Sequence, residues 1–189
     1  MKYRVIIITD GDKIAKKAAE KAAGNINGRC ISISSGNPSK ITGDEVLRLI
    51  KCAKKDPVIV MVDDKGDIGR GKGEEIVQYI VKSQEIKVIG MIAVASNTLG
   101  SGIKVDYSID KCGNKIECAV DKYGNARHNK VIIGDTVNTI NPNQIPVIIG
   151  IGDPGKMDGC DDFNKGCPIL TNAIKLLINV YNERSVYKN

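Results

Sequence analysis

Residues 3–9 read Tyr-Arg-Val-Ile-Ile-Ile-Thr, with no polar interruption from Val5 to Ile8. A strand with one wet face alternates apolar and polar residues, whereas an unbroken apolar run marks a strand covered on both faces. Covering both faces takes helices above and below a largely parallel sheet, and few other architectures meet that demand. Similar runs recur at residues 58–62, 88–95 and 146–150. The segments between the first runs carry the helical period. Ile14, Ala15, Ala18, Ala19, Ala22 and Ala23 form a narrow stripe opposite Lys13, Lys16, Lys17, Glu20 and Lys21, and Asp12 is placed to cap that helix. Val46, Leu47, Ile50 and Ala53 give a second stripe over residues 44–54. Ile76, Val77, Ile80 and Val81 give a third, in a helix starting at Glu74. Asn27-Gly28 turns the chain into a short strand over 29–34. The resulting β-α-β-α-β-α-β order predicts an α/β, Rossmann-like doubly wound fold with a mainly parallel sheet.

The period changes near residue 104. Val105, Tyr107 and Ile109 alternate with polar residues, as do Ile116, Cys118 and Val120, which predicts an antiparallel hairpin extension. Two related pentapeptides, Asp110-Lys111-Cys112-Gly113-Asn114 and Asp121-Lys122-Tyr123-Gly124-Asn125, read as turns between strands. Residues 131–133 and 136–140 suggest two further short strands around Gly134-Asp135. Pro168 suits the first turn of a final helix with Leu170, Ala173, Ile174, Leu177, Ile178 and Tyr181 inward. No linker separates these parts, so the chain reads as a single domain over 1–189 with an antiparallel insertion around 104–140.

Composition narrows the function classes. The net charge is +6, but Lys and Arg are spread along the chain, and aromatics make up 4% with no Trp. A base-stacking platform is absent from that inventory, so nucleic acid is not an expected partner. The six cysteines form no CxxC, and His128 has no partner at metal-ligand spacing, so a zinc site is not expected. The apolar runs are of strand length, short of the roughly 18–20 residues that span a bilayer. The first run is also too short for a signal peptide. The expectation is a soluble chain without signal peptide or transmembrane segment, its membrane contact peripheral.

In an open parallel sheet, ligands bind beyond the carboxyl ends of the strands. Asp10 and Asp12 follow the first strand, Asp63 and Asp64 the third, Ser96 and Asn97 the fourth, and Asp153 and Lys156 the last long apolar run. Carboxylates converging there suit an oxygen-seeking ion such as Mg²⁺ or Ca²⁺, with Asp10, Asp12, Asp63 and Asp64 as ligands. The loop Gly66-Asp67-Ile68-Gly69-Arg70-Gly71-Lys72-Gly73 lies between strand and helix, where Gly69, Arg70 and Gly71 are candidates to hold an anion. It matches neither GxxxxGK[ST] nor GxGxxG, and Glu74 would repel an anion. No nucleophile–His pair is evident, so catalysis is not expected.

The strand-end segments Thr9-Asp10-Gly11-Asp12, Ser35-Gly36-Asn37-Pro38, Val60-Met61-Val62-Asp63-Asp64, Ile92-Ala93-Val94-Ala95-Ser96 and Gly134-Asp135-Thr136-Val137 occur in this order, ending with Gly150-Ile151-Gly152-Asp153-Pro154-Gly155-Lys156-Met157. Over nearly the whole chain this pattern resembles the soluble form of stage V sporulation protein AE, with Pro154 and Cys160 departing from it. The resemblance implies an accessory protein of bacterial endospores, associated with dipicolinic acid handling and spore germination at the spore inner membrane. It also implies membrane-protein partners there. Dipicolinate, a planar dianion that chelates Ca²⁺, is a candidate ligand for Arg70, Lys72 or Lys156 with backbone amides, the nearby Asp residues holding the Ca²⁺. A homo-oligomer pairing through the hairpin region 104–125 is a further expectation. The alternative reading is a Mg²⁺-dependent, Toprim-like phosphotransfer or nucleic-acid enzyme, suggested by the Asp10-x-Asp12 spacing.

Overall fold

The computed structural model describes residues 2–65, 71–138 and 140–187. In chain order its elements are β1 (Tyr3–Ile8), α1 (Lys13–Asn25), β2 (Arg29–Ile31), α2 (Gly43–Lys51), β3 (Val58–Met61), α3 (Lys72–Lys82) and β4 (Ile86–Val94). There follow β5 (Ile103–Lys104), β6 (Tyr107–Ile109), β7 (Lys115–Ile116), β8 (Val131–Ile132), β9 (Ile148–Ile151) and α4 (Pro168–Val186). The main sheet has the order β2-β3-β1-β4-β9-β6-β7. All its pairings are parallel except β6–β7, where Ser108 faces Ile116 and Ile109 faces Lys115. The fold is therefore Rossmann-like and doubly wound with an antiparallel hairpin, as the patterning predicts.

Alternate residues of each apolar strand feed two separate cores. Ile6, Ile8, Ile59, Met61, Ile92 and Ile149 pack with the alanine stripe of α1 and with Leu170, Ala173, Ile174 and Leu177 of α4. Val5, Ile7, Val58, Val60, Met91 and Ile148 pack with Val46 and Ile50 of α2, Ile76 and Ile80 of α3, and Ile103 and Ile132 from the insertion. The insertion thus helps to cover one face as well as extend the sheet edge. Small residues let α1 lie close to the strands. Ile14, expected in that stripe, is instead 47% exposed, because the helix begins at the rim beyond the strand ends.

Two predicted strands differ in the structure. The segment 29–34 is extended only through Ile31, and Ser32–Ser34 form a 3-10 turn. The Ser34 hydroxyl donates to the Ile31 carbonyl at 2.7 Å and accepts from the Met61 N–H at 2.9 Å. A side chain thus takes the ladder bond that another strand residue would have made. Thr136 and Val137, expected in a strand, are buried without strand pairing. Thr136 Oγ1 accepts from the Asp64 N–H at 3.2 Å, so this stretch docks through a side chain.

Candidate functional site

A cleft of about 220 Å³ opens at the carboxyl ends of the parallel strands. It lies where β1 is flanked by β3 and β4, so that the chain's direction of travel across the sheet reverses there. Its lining comes from Thr9, Asp10 and Asp12 after β1, Asp63 after β3, Val94 to Asn97 at the end of β4, and Asp153 after β9. Asn37, Lys122 and Asp135 complete it. Five carboxylates therefore surround one opening.

Asp10 and Asp12 are held by the entry to α1. Asp12 Oδ1 accepts from the N–H groups of Ile14 and Ala15 at 2.7 and 2.8 Å, capping the helix. Asp10 Oδ1 accepts from the Asp12 N–H at 3.0 Å. Gly11 lies between them because a Cβ there would collide with the Gly36 carbonyl; the loop after β2 closes over the loop after β1 and brings Asn37 to the cleft. Asp12 Oδ2 lies 2.6 Å from Lys156 Nζ, which also reaches both Asp153 oxygens at 3.1 Å. One ammonium thus spans two carboxylates. Burial alone would push the Asp12 carboxyl up, but the Lys156 contact and the α1 N–H groups hold it below the usual range. Burial likewise opposes the charged form of Lys156, and its two carboxylate partners reverse the balance and raise it.

Asp10 is helped only by the Asp12 N–H, which does not offset its burial. Burial, reinforced by the neighbouring charges of Asp12, Asp153 and Asp63, pushes its carboxyl up to about 7. One oxygen from each of Asp10, Asp12 and Asp153 falls within 4.8 Å of the others. That spacing suits a shared hard cation, whose oxygen ligands lie about 2.0–2.6 Å from the metal. Lys156 supplies the positive charge at this place in the structure.

The sequence-predicted residues separate into two groups. Asp10, Asp12, Asp63, Ser96, Asn97 and Asp153 meet at the cleft, with Lys156 beside them. Asp63 nevertheless has its oxygens engaged by backbone, accepting from Gly11 at 3.2 Å and Lys65 at 2.8 Å. Asp64 is turned away from the cleft. It is buried, and Oδ1 accepts from the Gly73 N–H at 2.5 Å. Asp64 therefore serves the start of α3, where a bound anion was expected. Gly71 also lies under the Asp64 carboxylate, and its N–H donates to Glu74 at 3.3 Å. Gly69 and Arg70 lie outside the described residues.

The sequence reading missed Thr9, Asn37, Lys122 and Asp135. Ser96 donates to the Asp135 carboxylate and accepts from the Thr98 N–H at 3.2 Å. The signal for Asp135 was a Gly-Asp pair between apolar segments. Lys122 arrives through the twin pentapeptide turns. In each turn the Asp carboxylate accepts from the N–H groups two and four residues on and from the Asn side chain. The two turns join where Lys111 N–H donates to Gly124 O at 2.9 Å, and the second meets the site where Asp153 N–H donates to Lys122 O at 2.8 Å.

No helix among the described residues is long and apolar enough to cross a membrane. No curated protein and no solved structure matches the chain. A family model described as stage V sporulation protein AE1 matches residues 4–181, from the second residue of β1 almost to the end of α4, and the chain belongs to that family.

Proposed function

We propose that the chain is the soluble form of this family, a non-catalytic accessory protein of bacterial endospores whose cleft takes a divalent cation or its dipicolinate chelate. In this reading the protein works at the periphery of the spore inner membrane with membrane-protein partners, in dipicolinic acid handling and germination. The observation that carries the ligand class is the charge balance of the cleft: five carboxylates face Lys122 and Lys156. A free dicarboxylate would meet net repulsion there, whereas a Ca²⁺ ion, or a chelate presenting Ca²⁺, meets complementary oxygens. Asp10, Asp12 and Asp153 would hold the ion, and Lys156 would have to swing aside. The ion contributes charge neutralisation; the chain's residues orient it and select oxygen-ligated species.

Calorimetric titration with Ca²⁺, Mg²⁺, dipicolinate and Ca²⁺–dipicolinate tests this. The expected result is heat with Ca²⁺ or the chelate, lost in Asp10→Asn and Asp153→Asn, and none with dipicolinate alone. Silence in every titration would remove ligand binding and leave a role in protein contacts. A Mg²⁺-dependent phosphatase or nuclease activity, abolished by Asp10→Ala and Asp63→Ala, would replace the proposal with the enzymatic alternative.

A further inference from the structure

The two ends of the parallel sheet carry opposite charge. Carboxylates gather where the strands exit. Where the strands begin, Lys2 precedes β1, Arg29 opens β2, and Lys54 and Lys55 precede β3. All four are exposed and make no ion pair among the described residues. They are contiguous. A hollow of about 340 Å³ is lined by Lys2, Tyr3, Arg4, Ala53, Lys54, Lys55 and Asp56, and the next hollow adds Arg29 beside Lys54 and Lys55.

Helix dipoles account for only part of this polarity. They favour acids at helix N-termini and bases in last turns. Asp12 and Glu45 answer the N-termini of α1 and α2, while Arg48, Lys51 and Lys82 lie in the last turns of α2 and α3. Asp10, Asp135 and Asp153 at one end, and Lys2, Arg29, Lys54 and Lys55 at the other, fall outside those positions. Apolar groups accompany both ends. Ile14, Ile33, Leu99 and Tyr123 are 47%, 66%, 78% and 45% exposed, and each lies within four residues of a cleft-lining residue. At the strand-entry end, Tyr3 and Ala53 lie in the hollow among the lysine stems. Exposed apolar side chains on the segments that carry a charged centre have the composition of a protein-contact surface.

We infer that the chain associates head to tail with a second copy of itself, the strand-entry lysines of one copy meeting the acidic cleft and exposed apolar side chains of the next. The contact is heterologous, so it propagates into short open arrays and does not close on a two-fold axis. The net charge of +6 does not prevent it. Repulsion between whole molecules acts over distances well beyond the roughly 8 Å screening length at physiological salt, whereas charges in contact are screened less. The inference needs no ligand and does not rest on the proposed function, but both use the same cleft, so a cation bound there should oppose association.

Sedimentation velocity of the ligand-free full chain over a range of concentrations tests it. The expected result is a mass that rises with concentration and falls with added salt. Leu99→Arg at the head, or Lys54→Glu with Lys55→Glu at the tail, returns the species to monomer. Because these side chains are exposed, circular dichroism of each variant should match the parent. A monomer mass at every concentration and low salt overturns the inference. So does association that persists in both single-face variants, which would assign it to another surface such as the 104–125 hairpin.

Discussion

The acidic pairs after β1 and after β3 look alike in sequence and differ in what surrounds them. Asp63 is engaged by backbone at both oxygens, through Gly11 and Lys65, and Asp64 is buried with one oxygen accepting from Gly73. Asp10, Asp12 and Asp153 keep carboxylate oxygens near one another at the cleft, where the Lys156 ammonium pairs with Asp12 and Asp153. Backbone N–H groups reach both pairs, so what separates them is access: the acids after β3 are buried, while those after β1 keep an oxygen at the cleft. Asp161 is the extreme of the first kind, buried and accepting from Gly155, Ile169 and Leu170 at the start of α4.

The largest expected effect tests that first kind. Asp161→Ala leaves three backbone donors without their partner and should lower unfolding free energy by at least about 3 kcal/mol in urea titrations. A loss below about 1 kcal/mol would show that water replaces the carboxylate freely and would erase the distinction. Asp10→Asn should move stability the other way. The Asp10 carboxyl is raised from 3.8 to about 7, so the unfolded chain releases its proton well before the folded chain does. Stability therefore falls as pH rises through that window. Removing the charge should stabilise the protein by about 2–4 kcal/mol above pH ~7.5, with the advantage vanishing below pH ~4. Thermal melts across pH would detect it, and a destabilised variant at high pH would place Asp10 among the structural acids.

Gly124→Ala should cost about 1–2 kcal/mol, since Gly124 has φ +79° and a Cβ there would press on Lys111. It should also weaken Ca²⁺ binding, because Asp153 is tied to the same turn; unchanged affinity would uncouple the turn from the cleft. The smallest change in stability is expected for Lys156→Met, within about 1 kcal/mol for a partly exposed ion pair. Its sharper readout is calorimetric: without the ammonium, Ca²⁺ should bind more tightly. Weaker binding would make Lys156 a ligand-positioning group instead of a competitor.

Much of the fold was legible because both-face burial leaves a plain mark in strands 3–8, 58–61 and 86–94. The alanine stripe and the Asp12 cap were equally plain. What escaped depended on side chains replacing backbone partners, as Ser34 does beside β3 and Thr136 beneath Asp64. Apolar pattern cannot distinguish such docking from strand pairing. Strand position pointed to the end of the sheet where the cleft opens, but not to which acids the turns would claim. Asp64, expected among the ligands, instead accepts from the Gly73 N–H at the start of α3. Asp135 and Lys122 were missed because residues far along the chain deliver them, and no local spacing records that closure.

The twin turns of the insertion carry a consequence for how this protein can change. Lys122 and the backbone support of Asp153 reach the cleft from a lobe at the sheet margin, joined to its sibling turn by one main-chain bond. Exchanging residues at position 122 or 123 would retune what the cleft accepts while leaving both apolar cores intact. On the proposed reading, ligand preference can be tuned from this turn without altering the strands that carry Asp10, Asp12 and Asp153.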